Sequence, residues 1–266
     1  VFKNAVEMQN QLSASLSPFG GFTLIELLAV LAIVAVLAAS VFGVSRTVVE
    51  RAEVAAGVGN LRQVLVATIN YANDNETEIP RVNTLVNGQF RSWDVEIAPY
   101  LGVPEANISN ANDLRIPLQS IADVLFSPRD NCPLPEGSPN YARRRSWSMP
   151  AAPNGETSDE RRASRIARNF NEDPLRMVNV EEKSNTLLFV EHHRSENIVG
   201  DTNDAISLFP VDVSAQRQAD QGRTTKFIYG FMDGSSRYLE GKDTVGKGGL
   251  RYPIGPLGSW TATAGD

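Results

Sequence analysis

From Phe22 to Val44 the chain is apolar except at Thr23, Glu26, Ser40 and Gly43. No Pro interrupts the run. As a helix rising ~1.5 Å per residue it would be roughly 34 Å long, and a bilayer core needs about 20 mainly apolar residues. The sequence therefore predicts a membrane span over about residues 22–44. Its β-branched residues weaken a helix slightly in water, but in lipid only a helix satisfies the backbone of a single segment internally. The exception to this apolarity, Glu26, is costly in lipid and is functional by default.

Three readings of the run compete. A secretory signal would be cut near Ala38-Ala39-Ser40, giving a chain that starts at Val41; the long upstream region, with Lys3 offset by Glu7, and the acid inside the run fit it poorly. A plain anchor explains length and apolarity and leaves Glu26 without a role. The third reading uses the acid. If the chain is cut between Gly21 and Phe22, Phe22 gains an α-ammonium, and Glu26 lies one helical turn inward. A neighbouring helix displaced axially by about one turn (~6 Å) would set its ammonium beside this carboxylate. At 4 Å and an effective dielectric near 20 the attraction is about 4 kcal/mol before desolvation is subtracted. What survives desolvation is register, and repeating the contact without closure builds a helical filament.

Gly21-Phe22-Thr23-Leu24-Ile25-Glu26-Leu27-Leu28 closely resembles the class III signal of type IV pilins and type II secretion pseudopilins. The resemblance implies removal of a leader, residues 1–21, by a prepilin peptidase, N-methylation of Phe22, and a role for Glu26 in subunit assembly. It implies other pilin-like subunits as partners, with an assembly ATPase and an inner-membrane platform acting indirectly. It also implies a single-pass precursor in a bacterial inner membrane, its C-terminal part outside the cytoplasm, which then enters a periplasmic or surface filament. The leader departs from the usual short basic form, since Lys3 is its only base.

Beyond the run, Val54, Val58, Leu61, Leu65 and Ile69 recur at spacings of four and three, while Glu50, Arg51, Glu53, Arg62 and Gln63 fill much of the remainder. Asn73-Asp74-Asn75 and Pro80 stop the pattern. Residues 22–73 thus read as one long helix, transmembrane in its first half and amphipathic in its second. Gly43 or Gly57-Val58-Gly59 could break it in two.

Residues 74–266 read as a globular domain. Ser92–Leu101 is a candidate short helix N-capped by Ser92. Thr186–Val190 is a candidate buried strand, and Lys226–Met232, Asp233-Gly234, Ser236–Leu239 a hairpin. Residues 151–165 and 240–266 read as loops. The class is α+β, a long helix packed on an antiparallel sheet. The blocks NLRQVLVATINYANDNETEIP, KSNTLLFVE and FIYGFMDGSSRYL resemble a pseudopilin-like subgroup with a C-terminal Asp-Gly hairpin. That subgroup carries a His ten residues before the Asp; Arg223 stands at that position here.

Composition argues against several chemistries. A net charge of −6 gives no reason to expect nucleic acid. The single cysteine, Cys132, allows no internal disulfide and reads as a small buried hydrophobe. Glu191-His192-His193 holds both histidines; neighbours on a strand face opposite ways, so a surface or strand-end position is expected over a metal site. No Gly-x-Ser-x-Gly elbow or triad spacing is present, so no enzyme and no catalytic residue is expected. Asp201, Asp204, Asp212 and Asp220 suit calcium chemically but show no recognisable ligand spacing, so no cofactor is expected. Arg143-Arg144-Arg145 with Arg161, Arg162, Arg165 and Arg168 reads as a solvated basic face or as a docking patch for an acidic partner. The reading in a different class is a membrane-anchored periplasmic ligand-binding module that never polymerises.

Overall fold

Leu24 to Asp74 is α-helical, 51 residues long, in the computed structural model of the chain. The structure describes residues 21–151, 165–202, 206–207, 226–251 and 255–263; within these, the side chains of 41–46, 206–207, 247–251 and 255–257 lie outside the description. The chain divides into two units, Val1–Val49 and Glu50–Asp266.

In the first unit, helix α1 (Leu24–Asp74) begins on a polar clasp between Thr23 and Glu26, described below. Its apolar side chains stand open: Leu24, Ile25, Leu28, Leu31, Ile33, Val36 and Leu37 are all exposed. Among the described residues no helix is long and apolar enough to cross a membrane. The span drawn from the sequence needs the side chains of 41–44, which lie outside the description, so it rests on sequence alone.

In the second unit α1 is amphipathic, as its spacing predicts. Leu61, Val64, Leu65 and Ala67 are buried, while Arg62, Gln63 and Val66 on the other side are exposed. The backbone stays helical through Gly57 and Gly59, where a break had been the alternative. The two glycines serve different ends. A Cβ on Gly57 would stand 2.7 Å from Ile228 Cδ1 and 3.3 Å from Ser127 Oγ, whereas one on Gly59 would meet nothing within 4 Å. Gly57 lets the helix approach the sheet; Gly59 only costs backbone entropy. Gly57→Leu is therefore expected to destabilise by about 1–3 kcal/mol through overpacking, and Gly59→Ala to stabilise by about 0.5–1 kcal/mol. Denaturant midpoints moving in the same direction for both would refute this contrast.

The helix ends with Asn75 Nδ2 donating to the Tyr71 carbonyl at 2.8 Å. Thr77 N donates to the Ala72 carbonyl at 2.8 Å. Glu76 and Thr77 then turn the chain with positive φ, 51° and 66°.

The chain next forms a hairpin, β1 (Asn83–Val86) and β2 (Gln89–Ser92), closed by Asn87-Gly88 with φ of 52° and 80°. An Asn-Gly pair is the preferred residue pair for such a two-residue turn. Two short helices follow, α2 (Trp93–Ile97) and α3 (Glu105–Ser109). The helix expected over Ser92–Leu101 is α2 plus a 3-10 turn, Ala98–Leu101. Ser92 precedes it in extended conformation but makes no side-chain cap. Its hydroxyl accepts from Arg145 Nη1 at 2.8 Å instead.

The main sheet has five strands in the order β5-β3-β4-β6-β7. They are β3 (Trp147–Pro150), β4 (Leu187–Glu191), β5 (Ile206–Ser207), β6 (Lys226–Phe231) and β7 (Ser236–Glu240). The expected strand and the expected hairpin are β4 and β6–β7. The sheet is antiparallel except at one edge, where β5 pairs with β3 in parallel. In the hairpin turn Gly234 has φ of 84°, and Asp233 Oδ1 accepts from Ser235 N at 2.9 Å.

Both faces of the central strands are covered, and that accounts for their unbroken apolar runs. On one face Leu188, Phe189 and Ile228 join Leu61 and Leu65 in the larger core. On the other, Leu187, Val190, Phe227, Tyr229 and Phe231 surround Trp260. Trp260 comes from the tail, residues 240–266, whose composition predicts a loop. That expectation is corrected: residues 241–244 form a 3-10 turn, followed by β8 (Val245–Arg251) and β9 (Gly255–Gly258), an antiparallel pair. Trp260 Nε1 donates to Thr244 Oγ1 at 2.8 Å, and Leu187 N donates to the Ser259 carbonyl at 2.7 Å. Gly-rich spacing hid these strands, because their pairing is to each other and their anchor is one tryptophan. Most of the other expected loop, residues 151–165, lies outside the description, which omits 152–164.

Candidate functional site

The first turn of α1 gathers the residues singled out from the sequence. Gly21 has open space around its Cα, and Phe22 is 83% exposed. Thr23 and Glu26 bind each other reciprocally. Glu26 Oε2 accepts from Thr23 N and from Thr23 Oγ1, both at 2.8 Å, and Glu26 N donates to Thr23 Oγ1 at 3.3 Å. This is a capping box, Thr at the N-cap and Glu three residues on, which satisfies donors that a helix start otherwise leaves open. Its signature, Thr-x-x-Glu ahead of an apolar run, stood in the sequence and had been missed. The carboxylate is therefore held at the solvent-exposed rim of the first turn, on the amide of the Phe22–Thr23 peptide, and it answers the helix dipole there. Like Phe22, Leu24 and Ile25, it is exposed.

The other candidate chemistry lies in the second unit, and the structure reassigns most of it. Glu191 closes β4 and His192 and His193 follow directly, at the strand end that was one expectation, but all three are buried, against the surface position that was the other. Glu191 Oε1 accepts from Ser127 Oγ at 2.6 Å and lies 3.0 Å from His193 Nε2. Its Oε2 accepts from Arg129 Nη1 at 3.1 Å and from Ile228 N at 2.9 Å. His192 turns the other way, with Nδ1 3.1 Å from Ser148 Oγ. The two imidazoles thus serve different networks, and Ser148 with His192 forms a serine–histidine contact closed to solvent. Among the described residues no group of three or more His, Cys, Asp or Glu side chains is placed to hold a metal ion. Of the four aspartates weighed for calcium, Asp204, Asp212 and Asp220 lie outside the description. Asp201 is half-buried, and its carbonyl accepts from Arg145 Nη2 at 3.2 Å.

The arginine zone is corrected too. Arg143 is exposed, but Arg144 and Arg145 are buried. Arg144 grips Asp130 with both terminal nitrogens and donates to the Cys132 carbonyl. Arg145 bonds Asp94 Oδ2 at 2.9 Å, with neither side chain exposed. Arg165 pairs with Glu172 at 3.2 Å, and Arg168 is buried, its Nε donating to the Arg165 carbonyl. Arg161, Arg162 and Arg223 lie outside the description. A run of like charge in a sequence reads as surface; here Arg144 and Arg145 lie instead in a buried polar seam with Asp130 and Asp94. Cys132, expected as a small buried hydrophobe, is only half-buried and in no disulfide, and its Sγ lies 3.4 Å from the His193 carbonyl.

A surface cleft of about 360 Å³ is lined by Phe90, Asp113, Leu114, Arg115, Gly200 and Asp201 among others. Of its two acids, Asp113 is already engaged by Arg115. Arg115 hydrogen bonds hold the Asp113 carboxyl well below the usual carboxylate range, with Tyr141 adding to the effect. Elsewhere burial pushes Glu96 upward, only partly countered by Arg91.

Residues 17–42 match the family model described as the prokaryotic N-terminal methylation motif. The match covers the N-terminal segment and leaves the Asp-Gly hairpin subgroup unconfirmed. The chain thus carries the prepilin-type signal of type IV pilins and pseudopilins. No curated protein and no solved structure gives a match.

Proposed function

We propose that this chain, the bearer of a prepilin-type signal, is a structural subunit of a filament, either a type II secretion pseudopilus or a type IV pilus-like fibre. It enters a bacterial inner membrane through its first apolar helix, spanning about residues 22–44, with residues 74–266 outside the cytoplasm. A prepilin peptidase cuts between Gly21 and Phe22 and leaves Phe22 N-methylated. An ATPase and a membrane platform then drive assembly with other pilin-like subunits. The subunit itself carries out no catalysis.

The observation that supports this most is the coincidence of the methylation motif over residues 17–42 with an exposed apolar helix bearing Glu26 in its first turn. Cleavage changes the electrostatics of that turn. Before it, the Phe22 nitrogen is a neutral amide. After it, the nitrogen is an ammonium at the positive end of a helix, where a cation is unfavourable. A carboxylate from the adjoining protomer relieves this, and an ammonium from the other side relieves the burial of Glu26. Each protomer supplies one of each, one turn apart, so the contact is head-to-tail and repeats.

The first test is chemical. N-terminal sequencing of the membrane-extracted protein is expected to start at methylated Phe22. An intact Gly21–Phe22 bond, or a start at Val41, would reject the filament reading and leave an anchored binding module or a secreted domain.

A further inference from the structure

Residues Glu105-Ala106-Asn107-Ile108-Ser109 carry a modification signal that filament assembly does not use. Asn107, followed by a non-proline residue and then Ser109, is an N-glycosylation sequon. Glu105 adds a carboxylate two residues before the acceptor, a handle for a cationic site in a bacterial transferase. The segment is helix α3, only five residues long and entered from Pro104 in extended conformation. Asn107 is exposed, and its side-chain amide has no partner among the described residues. The Glu105 and Ser109 side chains are exposed as well and meet each other, Ser109 Oγ donating to Glu105 Oε1 at 3.2 Å. Ile108 alone of the five is buried. A helix this short is marginal without tertiary support, so the acceptor can be drawn into an extended form by opening local hydrogen bonds, among them Asn107 N to the Pro104 carbonyl and Asn110 Nδ2 to the Ala106 carbonyl, and by releasing one buried side chain, Ile108.

The chain holds a second sequon that serves as an internal contrast. Asn75-Glu76-Thr77 has Asn73, not an acid, two residues before the acceptor. Its Asn75 amide is occupied in closing α1 through the Tyr71 carbonyl. Its backbone is pinned on both sides: Thr77 N donates to the Ala72 carbonyl and the Thr77 carbonyl accepts from Met177 N at 2.7 Å. Sequence chemistry and local structure therefore single out the same site.

We infer that Asn107 is an acceptor for an N-linked glycan, delivered by an oligosaccharyltransferase that reads the upstream carboxylate, from a lipid-linked pyrophosphoryl oligosaccharide. The bond from Asn107 Nδ2 to the sugar C1 forms as the C1–O bond to the lipid pyrophosphate breaks. The pyrophosphate keeps that electron pair, and the amide proton passes to a base of the transferase. The inference rests on the outward placement of residues 74–266 proposed above.

The test incubates the detergent-solubilised full chain with such a transferase and its lipid-linked donor, and reads intact mass and peptide masses. The expected result is a gain of one glycan on the peptide holding Asn107. It is abolished in Asn107→Gln and Ser109→Ala, falls at least tenfold in Glu105→Gln, and is unchanged in Asn75→Gln. An unmodified chain, a gain that persists in Asn107→Gln, or an undiminished rate in Glu105→Gln overturns it. The reaction does not need the leader to be cut, so its failure leaves the filament reading standing, and sequencing of the mature N-terminus judges that reading separately.

Discussion

Glu26→Gln is expected to reach the membrane, to be cut and methylated at Phe22, and then to fall at least tenfold in its share of assembled filament. The substitution separates two roles that one side chain performs. Gln at the third helical position still completes a capping box, because it too can reach back to the N-cap nitrogen. The clasp with Thr23 is therefore kept and the negative charge is removed. The pair formed with a neighbour's ammonium attracts by about 4 kcal/mol before desolvation, and a surviving third of that is already tenfold in an equilibrium constant. Thr23→Ala does the reverse. It loses the clasp, at a cost of about 0.5–2 kcal/mol to the helix start, and keeps the charge, so its filament share should fall less than that of Glu26→Gln. Quantifying sheared filaments against membrane-retained protein for both variants decides the matter. Equal assembly of Glu26→Gln and the unsubstituted chain would show that charge is not what sets the register.

How much of this was legible beforehand depended on whether a pattern is local. The helix from Leu24 was readable because an apolar run and then a stripe at spacings of four and three need no knowledge of partners. The strand at Leu187–Glu191 and the hairpin around Asp233-Gly234 were readable for the same reason: an apolar run and a turn pair are local signals. The capping box and the Asn87-Gly88 hairpin were equally local and simply overlooked. What could not be read was anything set by long-range contact. Ser92 resembles a helix cap in sequence, yet its hydroxyl is taken by Arg145, 53 positions on. Gly57 and Gly59 look alike, and only the position of Ile228 distinguishes them. The tail after Glu240 lacks periodicity, yet Trp260 from it fills the second core. The arginine and histidine clusters misled most, because residue type alone favours the surface and only the acids placed opposite them allow burial.

Arg145→Ala is expected to destabilise the fold by about 3–5 kcal/mol, the usual cost of stranding a buried charge, while Arg143→Ala, two residues away, should change stability by no more than about 0.5 kcal/mol. Arg145 spends every part of its guanidinium. Nε donates to Asn197 Oδ1 at 2.8 Å, Nη1 to Ser92 Oγ at 2.8 Å and to Asp94 at 2.9 Å, and Nη2 to the Asp201 carbonyl at 3.2 Å. Its Cζ lies 5.1 Å from the centre of the Trp93 ring, a cation–π contact out of water. Those partners come from the start of α2 and from the loop after His193, so one side chain ties both to the edge of β3. Removing it leaves the Asp94 carboxylate with Gly200 N, at 2.8 Å, as its remaining donor in a dry site. Arg143 by contrast is exposed and reaches only the Asn140 and Ala142 carbonyls beside it. A double-mutant cycle isolates the pair itself: Asp94→Ala with Arg145→Ala should lose less than the sum of the two single changes by about 0.5–3 kcal/mol, since neither charge is then left alone. Strict additivity of the two changes in denaturant unfolding would mean that the ion pair contributes nothing of its own, and that the seam is held by its neutral hydrogen bonds.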